Sequence, residues 1–361
     1  MMLDIIENIN KADFEIFVCY KPEYAEWGQY EIESILKAEA KILPLRGREI
    51  FDVKGFLDFY RVVKKEKIDI VHCWDVLGVP ARIIGTVLGA KIVVVLANPP
   101  PARNFGISKK HYWINKATSI LVDGFVTCSN EVLKKYQRQK PICMNGKLQS
   151  VIYNCVDVPD LDTSAKSLLK IRRKYNLDPS DMIITNIGYF NEQKAQCDIL
   201  RAFKTVVENK PDVRLIIVGW GRLEAELKGL ARKLELNTKV LFTGRLEKPA
   251  IFEILSITDL FVLSSHWEGF GIVLAEAMAA GKPVISTDTD GGREVVVDGE
   301  TGLIVPVNSP EIMGDKILHV MGKPKMMAAM GEKGKERVKT YFNIQNYISG
   351  YENFYNELLR C

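Results

Sequence analysis

Two glutamates, Glu268 and Glu276, stand with seven residues between them in SSHWEGFGIVLAEAMAAGKPVIS, the stretch from Ser264 to Ser286. Glu268 directly precedes a Gly-Phe-Gly turn, Gly269 to Gly271, and Glu276 is the one charged residue of the helical run from Ile272 to Ala280. A helix apolar all round is expected to be buried, and a buried carboxylate needs partners. Sugar hydroxyls suit it, because each donates a hydrogen bond to a charged acceptor. A narrow opening to solvent or an internal arginine would also suffice. Lys194 follows Gly188 by six residues and offers a point charge for phosphate, with an ordinary exposed lysine as the alternative.

Glycines recur in the same setting. Gly188 lies in NIGYFNEQK, Gly219 and Gly221 in VGWGRLEAEL, and Gly291 and Gly292 in TDTDGGREVV. A lone Gly-x-Gly is weak evidence. Several strand–glycine–helix units beside a lysine point to an anionic ligand, a nucleotide diphosphate, met by the N–H groups that open a helix.

The elements that must position these residues are short apolar runs alternating with helical patterns. Phe14 to Tyr20, Asp69 to Trp74, Lys91 to Ala97, Gly124 to Ser129 and Ser150 to Asn154 read as buried strands. So do Met182 to Gly188, Arg214 to Gly219, Lys239 to Gly244, Asp259 to Ser264, Pro283 to Thr287 and Gly302 to Pro306. Continuous apolar strands separated by helices imply parallel sheets covered on both faces, the doubly wound α/β class, here twice over. The polar stretch VDVPDLDTSAKS (Val156 to Ser167) reads as the linker. The expected division is an N-terminal Rossmann-like domain over 1–157, a C-terminal nucleotide-binding one over 158–340, and a helix over 341–361.

Composition narrows the classes. A chain of 361 residues suggests two cores, and 47% hydrophobic with 26% charged residues is ordinary globular composition. A net charge of +4 gives no reason to expect nucleic acid. Basic residues gather in RVVKKEK (Arg61 to Lys67) and KKYQRQK (Lys134 to Lys140). They read as solvated helix faces, with peripheral contact to an anionic membrane surface as the sharper alternative. Seven cysteines without a CxxC pair fit a reduced compartment. The acidic N-terminus does not look like a signal peptide, and no apolar run is long enough to span a bilayer, so a cytoplasmic placement is expected.

The segment from Ser264 to Pro306 resembles the signature of glycosyltransferase family 4, the group 1 glycosyltransferases. The resemblance rests on the paired glutamates, the EGFG turn, the EAMAAGKPVI helix–strand, the GGREV loop and the DGETGL turn. Weaker similarity extends to DIVHCWDVLGVPARIIG, DGFVTCSNEVLKKY, VIYNCVD and the closing stretch from Glu336 to Leu359.

That resemblance implies the GT-B fold, two Rossmann-like doubly wound domains facing across a cleft. It implies a retaining transferase that moves a sugar from a UDP- or GDP-sugar to a glycan or lipid-linked acceptor, in cell-surface polysaccharide or lipopolysaccharide assembly. No metal and no cofactor are expected. By position, Glu276 would hold the nucleotide ribose and Glu268 would stand at the reaction centre. Gly269, Phe270 and Gly271 would meet the donor with backbone amides, and Lys194 would grip the diphosphate. Gly188, Tyr189 and Arg245 complete the implied donor site. Asp288-Thr289-Asp290 spells a D-x-D pattern that binds metal in another transferase fold, but here it reads as a loop. The alternatives are a catalytically impaired nucleotide-sugar binder, or a sugar-nucleotide epimerase or phosphorylase of the same fold.

The sequence departs from the family in several places. The family's first strand and Gly-Gly loop have no counterpart ahead of MMLDIIENINK, which resembles the helix and second strand that follow them. Tyr189 stands where an arginine usually contacts the diphosphate, with Arg222 or Arg293 as candidate substitutes. Asn98 follows VVVLA where a histidine is often found. His72 matches a structural position, His111 reads as a surface residue, and Cys155 replaces a glycine.

Overall fold

The computed structural model describes residues 2–20, 35–45, 53–74, 78–100, 109–159 and 163–360. They fall into two compact units, Met1–Cys155 together with Ile344–Cys361, and Val156–Asn343.

The first unit holds β1 (Phe17–Tyr20), β2 (Lys41–Pro44), β3 (Ile70–Cys73), β4 (Lys91–Leu96), β5 (Gly124–Thr127) and β6 (Leu148–Val151). β1 pairs in parallel with β2, and a separate parallel sheet has the order β3-β4-β5-β6. The closing helix Ile344–Arg360 packs here. It buries Tyr347, Ile348, Tyr351, Phe354, Tyr355 and Leu358, a stripe at intervals of three and four residues that keeps one helical face on the sheet. Close approach to β5 depends on Gly124, where a Cβ would meet Phe354 Cζ at 2.7 Å.

The second unit holds β7 (Met182–Ile187), β8 (Val213–Val218), β9 (Val240–Gly244), β10 (Leu260–Leu263), β11 (Val284–Thr287) and β12 (Gly302–Val305). All pair in parallel, in the order β12-β11-β10-β7-β8-β9. Numbered within the unit and read from β9, this is the 3-2-1-4-5-6 order of the doubly wound fold. β10 and β11 are buried throughout, which is why they read as unbroken apolar runs, whereas the edge strand β9 is only half-buried.

Some expected elements shift. Lys41–Pro44 forms β2, which the sequence reading passed over: it is four residues long and ends on proline. The strand expected at Ser150 to Asn154 lies instead at Leu148–Val151. The apolar signal there came from Ile152 and Cys155, which are buried beside the strand, Ile152 against Gly350 of the closing helix. Cys155, in place of a glycine, is thus a small core residue. The units meet in sequence at Cys155 and Val156, two residues before the expected boundary. Part of the expected linker, residues 160–162, lies outside the described residues.

The basic clusters lie on and just beyond the helices Val53–Lys65 and Asn130–Gln139, where Arg61, Lys65 and Lys134 pair with Asp58, Glu66 and Glu131 at the surface. Among the described residues no helix is long and apolar enough to cross a membrane.

Candidate active site

In a doubly wound sheet the ligand crevice lies at the carboxyl ends of the strands where the strand order reverses. In the second unit that point falls between β7 and β10. β7 runs out into Gly188, Tyr189 and Lys194; β10 runs out into Ser264 through Gly271. Three hydrogen bonds stitch these loops together. The His266 N–H donates to the Gln193 carbonyl (2.8 Å), Gln193 Nε2 to the Trp267 carbonyl (3.1 Å), and Ser264 Oγ to the Lys194 carbonyl (3.0 Å).

The outcome is a tight charged pair. Lys194 Nζ donates to Glu268 Oε2 at 2.5 Å, and Ser265 Oγ donates to the same oxygen at 3.2 Å. Glu268 is 7% exposed, so its charge depends on these donors. Lys194 and Glu268 are 74 positions apart in sequence, and the sheet order alone brings them together.

The turn after Glu268 is fixed from behind. Gly271 takes φ 84°, in the left-handed region, and opens the helix Ile272–Ala279. Phe270 is buried and meets Phe342 edge to face, with centroids 5.2 Å apart. The Gly291 N–H donates to the Glu268 carbonyl at 2.9 Å, and a Cβ on Gly291 would lie 2.5 Å from the Phe270 carbonyl carbon. Thr289 caps the short helix Asp290–Val295 by accepting from the Gly292 N–H. Gly219, φ 148°, packs just as closely on the other loop, since a Cβ there would run into the Gly188 carbonyl oxygen.

Glu276 is not buried as the sequence reading expected. It is half-buried, on one face with Ile272, Val273 and Ala280. Leu274, Ala275, Ala277 and Met278 are buried, and part of that surface is covered by the helix Pro324–Tyr341, with Met278 against Gly334. The helix is apolar nearly all round because it is covered on more than one side, and Glu276 marks the side left open.

The proposed substitutes for the arginine missing at Tyr189 are both engaged with carboxylates. Arg222 pairs with Glu192. Arg293 bridges Asp288 (2.5 Å) and Asp290 (2.9 Å), so the D-x-D aspartates are held by a guanidinium. Among the described residues no cluster of three or more His, Cys, Asp or Glu is arranged to hold a metal. Tyr189 is exposed and meets Trp220 edge to face at 5.6 Å, and the Arg245 guanidinium lies over the Trp220 ring at 4.7 Å. These three residues follow the neighbouring strands β7, β8 and β9, so the carboxyl edge carries an aromatic and cationic shelf beside the Lys194–Glu268 pair.

Other predicted residues lie in the first unit. Asn98 is exposed, two residues beyond β4. The His72 Nδ1 and the Tyr355 hydroxyl share a hydrogen bond at 2.5 Å, and the ring stacks on Trp74 and Tyr351. The side chain of His111 lies outside the described residues.

Sequence reasoning missed the supports of the site. Asp198 is 5% exposed, accepts from Arg201, and lies 3.0 Å from His266 Nε2, so it fixes the residue two before Glu268. Gln193, Ser265 and Thr289 were likewise unremarked. Gln193 acts across a gap between loops, which no local spacing signals, whereas Ser265 and Thr289 bond three residues along their own loops, contacts that turn and N-cap spacing could have suggested.

Comparison with known proteins agrees with this geometry. Residues 169–337 match the family model "Glycosyl transferases group 1". Over that span, somewhat under half of its length, the chain matches the group 1 glycosyltransferases. It is 27% identical over 315 residues to N-acetyl-alpha-D-glucosaminyl L-malate synthase of Bacillus anthracis, covering 83% of this chain and 77% of that one. It is 24% identical over 322 residues to the UDP-Gal:alpha-D-GlcNAc-diphosphoundecaprenol alpha-1,3-galactosyltransferase of Escherichia coli, covering 86% and 81%. In structure it is similar to HepE of Anabaena, solved in complex with UDP and glucose. The TM-score is 0.83 at 17% identity, over 99% of this chain and 95% of that one, a likeness of fold. The chain therefore has the GT-B type of architecture, with two Rossmann-like units.

Proposed function

We propose that this glycosyltransferase takes its sugar from a UDP- or GDP-sugar, transfers it with retention at the anomeric carbon, needs no metal ion, and acts on a glycan or lipid-linked acceptor in surface polysaccharide or glycolipid assembly. The observation that carries this reading is the Lys194–Glu268 pair at the switch point, framed by the Gly269–Gly271 turn. In transfer, the bond from the anomeric carbon to the diphosphate breaks and a bond to the acceptor oxygen forms on the same face. The acceptor's proton leaves with the diphosphate. Negative charge grows on the leaving oxygen, and a fixed ammonium and helix-opening amides are suited to meet it. Carboxylate density at Glu268 suits the positive charge that grows on the sugar ring.

Lys194 is neutralised by Glu268 in this structure, so a diphosphate competes with the Glu268 carboxylate for the ammonium, or the two anions share it. Glu276, on the open side of its helix, is assigned to the ribose hydroxyls. Tyr189, Trp220 and Arg245 offer the stacking surface for a base. The names of relatives support both nucleotides. The Escherichia coli relative is named for UDP-Gal, and a Corynebacterium glutamicum relative, 32% identical over 175 residues, is named as GDP-mannose-dependent.

The test is turnover. The purified protein is incubated with a panel of UDP- and GDP-sugars, with and without acceptor extracts and with and without EDTA, and nucleotide release and product anomer are followed. Acceptor-dependent release that persists in EDTA and yields the donor's anomer is expected. Binding of UDP and GDP without release from any donor would sink the assignment, and an inverted anomer would sink the stereochemical part.

A further inference from the structure

One corner of the first unit presents a surface that is both apolar and cationic. Between residues 76 and 156 the sequence has two acidic residues, Asp123 and Glu131, against eleven lysines and arginines. Over the whole chain acids and bases are nearly balanced, 45 against 49. Neither of the two acids offsets the local excess. Asp123 accepts from the Ile92 backbone N–H at 2.8 Å, and Glu131 pairs with Lys134 on its own helix.

Three segments of this stretch meet at the corner. The helix Val79–Val87 packs against the helix Lys109–Thr118 and the 3₁₀ turn Ser119–Leu121 that follows it. Buried Arg82 donates to Thr118 Oγ1 at 3.1 Å, and Thr86 Oγ1 donates to the Leu121 carbonyl at 3.5 Å. The third segment is tied to the same turn. The Cys143 N–H donates to Ser119 Oγ at 2.8 Å, and Lys147 Nζ donates to the Ile120 carbonyl at 3.0 Å.

This frame holds large apolar side chains out in solvent. Val87 is 73% exposed, Trp113 63% and Ile120 60%. Trp113 and Ile120 are two helical turns apart and so share one side. Val87 adjoins Thr86, which bonds the turn that carries Ile120. Lys116 sits between Trp113 and Ile120, with its Nζ over the Trp113 ring at 5.6 Å. Among the described residues neither Lys116 nor Lys147 pairs with a carboxylate. Arg61, Lys65 and Lys134, in the basic clusters that the sequence singles out, each pair with one.

Grouped exposed apolar residues mark a docking surface. Composition says what docks. Lysine is depleted at protein–protein interfaces, and two copies of a surface rich in unpaired cations repel across a twofold axis. Tryptophan flanked by lysine is instead the composition of a membrane–water interface, where the ring sits at headgroup level and the ammonium meets lipid phosphate.

We propose that this corner, with Val87, Trp113 and Ile120 ringed by Lys116 and Lys147, docks on the surface of an anionic lipid bilayer. The apolar side chains enter the headgroup layer and the lysines stay at the phosphates. The contact lies away from the Arg61 to Lys67 cluster, part of whose charge is offset by its own neighbours. The inference does not depend on the transfer reaction proposed above, and its test uses no sugar donor.

The protein is mixed with vesicles of phosphatidylcholine alone, and with vesicles of equal parts phosphatidylcholine and phosphatidylglycerol. The bound fraction is read by flotation at low and at high salt. Binding to the anionic vesicles that weakens as salt rises is expected. Lys116→Gln with Lys147→Gln lowers it about 30-fold, at about fivefold per lysine. Trp113→Ser lowers it about tenfold. Arg61→Gln with Lys65→Gln leaves it near the unmodified protein's. Lipids with brominated acyl chains quench tryptophan emission in the unmodified protein but not in Trp113→Phe, which still binds. Equal binding to the two kinds of vesicle overturns the proposal, as does an equal loss in the Arg61 and Lys65 pair. Quenching that survives in Trp113→Phe overturns it too, because another tryptophan then faces the lipid. A dimer that Trp113→Ser dissociates, without vesicle binding, assigns the corner to a second copy and overturns it as well.

Discussion

Replacing Lys194 by Met removes the ammonium and keeps most of the side chain's bulk. The Glu268 carboxylate, 7% exposed, then keeps the Ser265 hydroxyl and loses its cation. Removing one partner of a buried pair costs about 3–5 kcal/mol. The Lys194 side chain is 19% exposed, so partial screening brings the expectation to about 2–3 kcal/mol. At roughly 2–4 °C per kcal/mol for a unit of this size, Tm falls by about 5–10 °C. Glu268→Gln behaves differently. The amide oxygen still accepts from Lys194, and the charge left over is the more exposed partner's, so the loss of stability is smaller.

Binding separates the two variants further. Lys194→Met removes a charge-assisted contact worth about 1.5–3 kcal/mol, so UDP or GDP affinity drops about 10- to 100-fold. Glu268→Gln frees the ammonium from its competing carboxylate. Nucleotide affinity therefore holds or rises, while turnover falls about 10²- to 10³-fold. Calorimetric titration with UDP and GDP, thermal unfolding and a transfer assay read these three quantities. Equal losses of nucleotide affinity in both variants would refute the idea that Glu268 and diphosphate compete for Lys194.

Three further outcomes follow from the geometry. Glu276→Gln should leave Tm within about 2 °C, since the residue lies on the open side of its helix, but weaken nucleotide binding about tenfold; unchanged affinity removes the ribose assignment. Gly291→Ala must displace the Phe270 backbone or its own, because the added Cβ would lie 2.5 Å from it, and both Tm and turnover should fall; a variant with wild-type turnover shows that the turn's position does not matter. Burial holds the His72 pKa down at about 4 against a usual 6.5, so between those values the unfolded chain binds more protons and stability is lost as pH falls through that window, by up to about 3 kcal/mol; unfolding midpoints from pH 7 to 4 should lose part of that slope in His72→Phe.

Much of the fold was legible because a parallel sheet covered on both faces writes itself as unbroken apolar runs. β10 and β11 are buried at every position and were located to within a residue or two. β2 and β6 were missed or shifted for the converse reason. Neither is fully buried, and the strongest apolar signal near β6 belonged to Ile152 and Cys155, which pack in the core without being in a strand. Sequence pattern reports burial first and strand only through burial.

The same distinction governs Glu276 and Glu268. An all-apolar neighbourhood suggested that Glu276 is buried, yet helices cover only part of its helix and leave its own side open. Glu268, beside a turn of glycines, has the more enclosed carboxylate, and its cation comes from far along the chain: Lys194 reaches it from 74 positions away, beside the local Ser265 hydroxyl, while the Gly291 N–H holds its backbone carbonyl. A charged group's local neighbours therefore say little about its burial when a sheet reversal brings distant loops together. Strand order is the better guide, because it names which two loops meet before any side chain is placed. By that rule the Lys194 loop and the Glu268 loop had to meet, since β7 and β10 flank the reversal.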